Sequence, residues 1–355
     1  MATPAFSTEK EIVPKVIRPR TIGGIGFDRL MAIVSCWFIT GTFLDGWAHT
    51  HGLVDRTFFT PWHAVLYSGY FANAVVLTVA TLLNRWRGLS WLKAIPQGYI
   101  LALFGVPLFM IAGVGDLIWH TLFGFEVGIE PLLSPTHLLL AFSGLLMISG
   151  PLRAIWLRSD ADVAPGWRTL LPAVLALMAT LSIFTFFTSF AHPVVDVWFV
   201  TQPVNDGQKS RVVAGILLQT VLLMGVLFVA MRRWRLPPGS LTLIIAINAS
   251  LMMVFSDSYY LIPGVLLAGL VADVLFWRLQ PSEERVEALR IFAFTVPAVF
   301  YLLYFATLEI TDGITWSIHL WLGSIVMAGI VGLLLSYVMV PPQRPTAHVS
   351  GTDEI

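Results

Sequence analysis

Long apolar stretches separated by short polar segments make up most of the chain from residue 29 onward. Each stretch is close to the roughly 20 residues that an α-helix needs to cross the hydrocarbon core of a bilayer. The boundary between the seventh and eighth stretches is the weakest, because only Ser256, Asp257 and Ser258 interrupt a nearly continuous apolar run. The pattern predicts ten membrane-spanning helices, at 29–48, 62–83, 98–119, 135–157, 169–191, 212–231, 240–257, 259–277, 291–308 and 316–339.

The composition agrees with this pattern. Apolar residues make up 57% of the 355 positions and charged residues 12%, whereas a soluble domain carries about 25% charged residues. The single cysteine, Cys36, excludes an internal disulfide framework. A formal net charge of zero gives no indication of a nucleic-acid partner. We therefore expect an all-α, polytopic integral membrane helix bundle whose main partner is the lipid bilayer.

The basic residues predict how the bundle is oriented. Eighteen of the 21 lie in the N-terminal segment, alternate loops and the C-terminal tail, and only Arg56, Lys209 and Arg211 lie in the opposite loops. Because cytoplasmic loops are enriched in Lys and Arg, both termini should be cytoplasmic, with the opposite face periplasmic or extracellular. The predicted organisation is a cytoplasmic segment at 1–28, helices one to four at 29–157, helices five to ten at 158–339 and a cytoplasmic tail at 340–355.

Histidines are concentrated at the predicted outer face. Seven of the eight fall at outer helix ends or in outer loops, and only His348 does not. Ionisable groups are costly at membrane depth. The bias is therefore explained either by a polar outer surface that collects them or by a shared chemical role.

Two segments share one pattern at this face. The first has Asp45, His49 and a Thr-Pro-Trp-His sequence ending at His63; the second has Asp116, His120 and Ser-Pro-Thr-His ending at His137. In each, Asp-x3-His closes one helix, a loop follows, and Thr/Ser-Pro-x-His opens the next.

The pattern suits metal binding. Residues four apart share a helical face, and Thr60 or Ser134 can cap the next helix, with proline at its first position. Two imidazoles and a carboxylate from adjacent helices form a compact site that suits Cu(II), Zn(II) or non-haem Fe(II). The alternative is structural: Asp and His would join the helices of each hairpin through charge-assisted hydrogen bonds.

The first unit also resembles a known sequence. Asp45-x3-His49, Asp55, Thr57, Phe59-Thr60-Pro61-x-His63 and Tyr67 are similar to the copper-binding stretch of the C subunit of particulate methane and ammonia monooxygenases. The resemblance covers roughly a quarter of the chain, and the last 200 residues do not share it. The spacing between the two histidines of the first unit is one residue longer than in the family.

This resemblance implies copper at Asp45, His49 and His63. It also implies a second site at Asp116, His120 and His137, with Asp116 in place of the family's asparagine. Oxygen-dependent hydroxylation of a small apolar substrate and partner membrane subunits are implied in the same way.

Other polar residues at the predicted outer face are candidates for additional ligands or for hydrogen-bond partners of the ligands. Glu126 and Glu130 can also form a proton relay or a solvated loop face, and the last suits a loop best. The full set is His51, Asp55, Glu126, Glu130, His192, Asp196, Asp312 and His319.

Three functions fit these observations: a membrane metalloenzyme that oxidises a small apolar substrate, a non-catalytic protein that handles or senses copper or zinc, and a transporter or structural subunit with a polar outer cluster. A charged residue in the middle of a span would favour transport. Only Asp273 comes near one, towards the cytoplasmic side.

Overall fold

The computed structural model describes residues 21–53, 59–124, 126, 128–159 and 166–341. Over these ranges the regular structure is helical, without a strand, which confirms the all-α prediction. Short helices at Trp91–Ala94, Glu130–Leu133 and Trp198–Thr201 lie in the connections. The ten long helices are α1 Ile25–Thr50, α2 Pro61–Trp86, α3 Ile100–Phe123, α4 Pro135–Trp156, α5 Trp167–Phe187, α6 Asp206–Arg233, α7 Ser240–Phe255, α8 Ile262–Leu279, α9 Val286–Thr311 and α10 Ile318–Met339.

In the described part of the chain, nine helices are long and apolar enough to cross a membrane, and α7 is shorter. Its 16 residues extend about 24 Å at 1.5 Å per residue. At its start, the backbone N–H of Thr242 donates to Asp273 Oδ2 over 2.7 Å. Just beyond its end, Asp257 Oδ1 lies 3.1 Å from Trp47 Nε1, near the end of α1. Helix α7 therefore connects the two ends of the bundle, as a tenth crossing requires.

The predicted basic segments meet at one end of the bundle. Arg158, after α4, lies 3.4 Å from Asp28 in the first turn of α1, and Arg233 donates to the carbonyl of Trp156 over 3.3 Å. These contacts place the start of α1 and the ends of α4 and α6 together. That this end faces the cytoplasm stays a prediction.

Two glycines bring α1 and α2 close together below their histidines. A Cβ on Gly41 would lie 2.7 Å from Leu66 Cα, and a Cβ on Gly69 would lie 2.6 Å from Phe38 Cα. Helices α3 and α4 approach each other in the same way, since a Cβ on Gly105 would lie 2.8 Å from the Ser143 carbonyl oxygen. Small residues allow helix backbones to pack this closely in membranes. Each hairpin therefore holds its two helix ends at a fixed separation.

Candidate metal centre

The first unit forms where α1 ends and α2 begins. Asp45 Oδ1 lies 3.6 Å from His63 Nδ1, and Asp45 Oδ2 lies 3.9 Å from His49 Nε2. The two imidazole rings are perpendicular, with centroids 5.5 Å apart. One nitrogen or oxygen atom from each residue lies within 4.8 Å of the other two. The three side chains predicted from sequence therefore converge.

Local sequence sets the position of His63. The Thr60 hydroxyl accepts from the His63 backbone N–H at 3.1 Å, and Pro61 occupies the first helical position of α2. The same hydroxyl lies 3.0 Å from His63 Nδ1. Thr60 thus caps α2, as predicted, and also contacts the ring that the cap brings into the site.

Asp45 is almost fully inside the protein, with 8% of its surface exposed. Its Oδ1 is buried and has no hydrogen-bond partner among the residues that the structure describes, and a buried carboxylate oxygen without a partner is costly. His49 is the open side of the unit, with 37% of its side chain exposed. A cation beside Asp45 Oδ1 would satisfy this buried oxygen, and it could reach the unit from solvent on the side of the exposed His49.

The second unit repeats this arrangement between α3 and α4. Asp116 Oδ2 lies 3.4 Å from His120 Nε2, and Asp116 Oδ1 lies 3.6 Å from His137 Nδ1. The His120 and His137 ring centroids are 5.7 Å apart. The Ser134 hydroxyl lies 2.7 Å from His137 Nδ1. In both units the helix-ending histidine turns Nε2 to one carboxylate oxygen, and the helix-opening histidine turns Nδ1 to the other.

The two units differ at two points. Ser134 does not cap the backbone of α4, so the prediction that its hydroxyl caps that helix is wrong. That hydroxyl contacts the His137 ring instead. In addition, the Thr136 hydroxyl donates to Asp116 Oδ1 over 2.8 Å. The corresponding position in the first unit is Trp62, whose ring packs against Trp47 at 6.0 Å.

The four Asp–His separations are 3.4 to 3.9 Å. They bear on the choice between metal binding and helix locking, in which Asp and His only join the two helices of a hairpin through hydrogen bonds. They exceed the 2.7–3.2 Å of a well-formed N–H···O hydrogen bond. They approach the roughly 3.4 Å that separates two ligands on a tetrahedral ion with bonds of about 2.0–2.1 Å. The Asp–His spacings of both units therefore fit donors around a shared ion, and the 3.4 Å pair of Asp116 and His120 fits a long hydrogen bond as well.

The two units are neighbours. His63 lies within electrostatic range of Asp116, His120 and His137. Tyr67, one turn after His63, reaches α3, where a Cβ on Gly113 would lie 2.6 Å from its hydroxyl oxygen. The Tyr67 side chain therefore lies between the first unit and α3, which carries Asp116 and His120 of the second unit.

His51 does not join the first unit. Its Nε2 lies 2.6 Å from Asp257 Oδ2 and its Nδ1 lies 2.7 Å from the Trp47 carbonyl oxygen. These contacts raise the pKa of His51, first through the Trp47 carbonyl and then through Asp257. The pKa of Asp257 is lowered, first by the hydrogen bond from the Trp47 indole and then by the one from His51. His51 thus links α1 to the α7–α8 turn. Asp55, the other candidate in this loop, lies outside the described residues.

Of the two loop glutamates, one approaches the second unit. Glu126 Oε2 lies 3.2 Å from His120 Nδ1, and its side chain is 10% exposed. The expectation of a solvated loop face is therefore wrong for Glu126, because its carboxylate lies against the ring of His120 near the end of α3. Glu130 is exposed at the start of the short helix Glu130–Leu133.

The candidates in the second half of the chain lie outside both groups. His192 is buried, its Nδ1 accepts from the Val194 backbone N–H at 3.2 Å, and burial lowers its pKa to about 3. Asp196 accepts from Arg211 Nε over 3.1 Å. Burial raises the pKa of Asp196, against the opposing effect of Arg211. In the described ranges, the only metal-compatible groups of three or more His, Cys, Asp or Glu are the two units.

Asp312 and His319 are exposed at the ends of α9 and α10. The Asp312 carboxylate accepts from the Thr311 hydroxyl at 3.1 Å. Neither residue belongs to a metal-compatible group in the part of the chain that the structure describes.

The sequence pattern does not predict two of these contacts. Thr136 occupies the variable position of Ser-Pro-x-His, although a hydroxyl at the third position of a helix-opening motif can reach a neighbouring carboxylate. Asp257 lies in the short break between two apolar runs. Its backbone has φ of 55°, a conformation that aspartate tolerates better than most residues, but its partners 206 and 210 positions away leave no local signal.

No protein-family model, no curated protein and no solved structure matches this chain. The resemblance of the first unit to the monooxygenase subunit therefore stays a prediction from its motif.

Proposed function

We propose that this protein is a membrane metalloprotein that binds one transition-metal ion in each Asp/His/His unit, with copper as the leading candidate. The observation that carries the proposal is the spacing of the donors, 3.4 to 3.9 Å in both units. The buried Asp45 oxygen without a hydrogen-bond partner supports it independently.

The donor chemistry restricts the metal. Imidazole suits copper, zinc, iron and nickel, whereas sites built only of carboxylate, carbonyl and water ligands suit magnesium, calcium and manganese. Two histidines and one carboxylate leave a coordination position for water or substrate, as catalytic metal sites do. The motif resemblance favours copper within this group.

We extend the proposal to hydroxylation of a small apolar substrate: dioxygen is the oxidant, one of its oxygen atoms enters the substrate, and an external two-electron donor reduces the other to water. Beside the second unit lies a depression of about 490 Å³ lined by Trp119, Phe123, Ile129 and Leu133, among others. Apolar walls with a few polar groups are typical of small-molecule sites. This chain's residues would hold the ion, orient its histidine ligands and receive an apolar molecule beside the second unit.

Metal analysis and electron paramagnetic resonance on the purified protein test the first step. We expect two ions per chain in wild type, one in His63→Ala, one in His137→Ala and none in the double variant. His319→Ala is the matched control, because this exposed histidine lies outside both units, and it should keep two. Equal metal content in all five proteins would exclude the site assignment.

Dioxygen uptake by the copper-loaded protein, supplied with short alkanes and with a chemical reductant as the two-electron donor, tests the second step. Hydroxylated product that disappears in His63→Ala or His137→Ala would support oxidation. Full copper loading without uptake for any substrate would leave a metal-handling or sensing protein.

A further inference from the structure

Glu126 approaches the second unit from the side of His120 that faces away from Asp116. We propose that Glu126 is a positioning residue: its carboxylate accepts the Nδ1–H of His120 and so holds the ring with Nε2 towards Asp116 and the ion. This inference rests on the proposed metal function and assigns a role that the first unit's described residues do not show.

The two nitrogens of His120 have different surroundings. Nε2 lies 3.4 Å from Asp116 Oδ2, whereas Nδ1 lies 3.2 Å from Glu126 Oε2 and 3.4 Å from the Gly124 carbonyl oxygen. Both neighbours of Nδ1 are acceptors, so Nδ1 carries a proton. In the neutral ring, Nε2 is then the unprotonated nitrogen, and the unprotonated nitrogen of an imidazole is the one that binds metal.

The burial of Glu126 supports an inward role. Both of its carboxylate oxygens are buried, and among the described residues neither has a hydrogen-bond partner, since the hydrogen bond at His120 Nδ1 goes to the Gly124 carbonyl when no ion is present. A carboxylate in that position requires a donor close by, and the nearest recorded group is His120 Nδ1 at 3.2 Å. Metal-binding histidines commonly donate their second N–H to a carboxylate, which fixes the tautomer and the ring orientation.

The same geometry argues against Glu126 as a direct ligand. An ion bound to His120 Nε2 at about 2.0–2.1 Å would lie roughly 4 Å from Nδ1, on the far side of the ring from Glu126. The carboxylate and the ion therefore contact opposite edges of one imidazole, and the carboxylate acts through His120.

Copper titrations test this role with Glu126→Ala and Glu126→Gln, each in a His63→Ala background so that only the second unit binds. We expect Glu126→Ala to weaken copper binding about 10–100-fold, the usual cost of losing such a partner. Glutamine keeps a carbonyl acceptor, so Glu126→Gln should stay within about threefold of the parent, with an unchanged paramagnetic resonance spectrum. Glu130→Ala, an exposed glutamate four residues later, is the control and should bind as the parent does.

Two results would overturn the inference. Unchanged affinity in Glu126→Ala would mean that the carboxylate has no role. Equal loss in both Glu126 variants, with an altered spectrum in Glu126→Gln, would make Glu126 a ligand instead.

A measurement without metal separates this inference from the proposed function. Nitrogen-15 NMR of the histidine side chains should show His120 protonated at Nδ1 in wild type and Glu126→Gln, and a shift towards the Nε2–H form in Glu126→Ala. If the protein binds no metal but shows this dependence, the metal proposal fails and the pairing of Glu126 with His120 stands. Identical His120 signals in all three proteins would contradict the pairing itself.

Discussion

The two Asp/His/His units share an arrangement of atoms but differ in what surrounds the carboxylate. Asp116 Oδ1 accepts from the Thr136 hydroxyl over 2.8 Å, whereas the buried Oδ1 of Asp45 has no hydrogen-bond partner in the described part of the chain. The ligand positions alone do not determine this contrast. It depends on one neighbouring position, threonine in the second unit and tryptophan in the first.

This difference separates metal binding from helix locking. A carboxylate that serves only to join two helices should be satisfied by its neighbours when no ion is present, because an unmade hydrogen bond at a buried group costs about 1–3 kcal/mol. Asp116 partly meets that condition, and Asp45 does not. The first unit is thus the more dependent on an ion, and the second is the better organised without one.

The largest expected effect comes from replacing each aspartate with asparagine. Both Asp45→Asn and Asp116→Asn should weaken copper binding in their own unit by more than about 100-fold, beyond the cost of losing an outer partner. Without metal, Asp45→Asn should unfold at the same or a higher temperature than wild type, because it removes a buried charge without a hydrogen-bond partner at Oδ1. Asp116→Asn should not raise the unfolding temperature of the metal-free protein. Copper titration and thermal unfolding of the metal-free proteins measure both effects.

Helix locking predicts a different outcome for this pair. Both variants would then unfold at lower temperature without metal, and copper content would not follow the substitutions. A fall in the metal-free melting temperature of Asp45→Asn would contradict our comparison at its central point.

Some features of this structure could be predicted from the sequence and others could not. Apolar run length located all ten helices, because the need to span a bilayer acts on every residue of a run. Asp45, His49 and His63 were predictable because helical spacing and a Thr-Pro cap are local geometry. The contact of Glu126 with His120 and the pairing of His51 with Asp257 were not predictable. The first has no helical spacing to fix it, and the second depends on which helices become neighbours.

The second-largest effect is expected from a substitution that tests whether the close approach of α1 and α2 positions the ligands of the first unit. In Gly41→Ala the added Cβ would lie 2.7 Å from Leu66 Cα, so α1 and α2 must separate one turn below Asp45. Overpacking of this kind costs about 1–3 kcal/mol. We expect copper binding in the first unit to fall by about tenfold or more, since a site must be held within about 0.5 Å, while the second unit stays loaded. Copper titration in a His137→Ala background reads the first unit alone.

Gly225→Ala is the matched control, because a Cβ at this helical glycine meets nothing within 4 Å. It should leave both units intact. Full copper binding in Gly41→Ala would show that the crossing does not set the donor spacing.

A smaller effect should follow from the one hydroxyl that distinguishes the units. Thr136→Val keeps the side-chain shape but removes the donor to Asp116 Oδ1, which leaves that oxygen in the state of Asp45 Oδ1. Copper binding in the second unit should weaken by about tenfold, the lower end for loss of a partner that orients a ligand. Titration in the His63→Ala background measures it, with Thr121→Val as control, since the Thr121 hydroxyl donates only to the Leu117 carbonyl of its own helix. Unchanged binding would mean that the ion itself orients Asp116.

The smallest effect is expected at His51, two residues from the ligand His49. The structure pairs His51 with Asp257 and not with the first unit, and exposed ion pairs contribute little. His51→Ala should therefore change copper binding in the first unit by less than about threefold, as should Asp257→Asn, which keeps an acceptor for Trp47. If His51→Ala removed the first ion while Asp257→Asn did not, His51 would be a ligand, and the first unit would have a third histidine ligand without a counterpart in the second. A small effect from both variants would instead leave Asp45, His49 and His63 as the ligands of the first unit among the described residues, of which only those of the second unit place a carboxylate behind the helix-ending histidine.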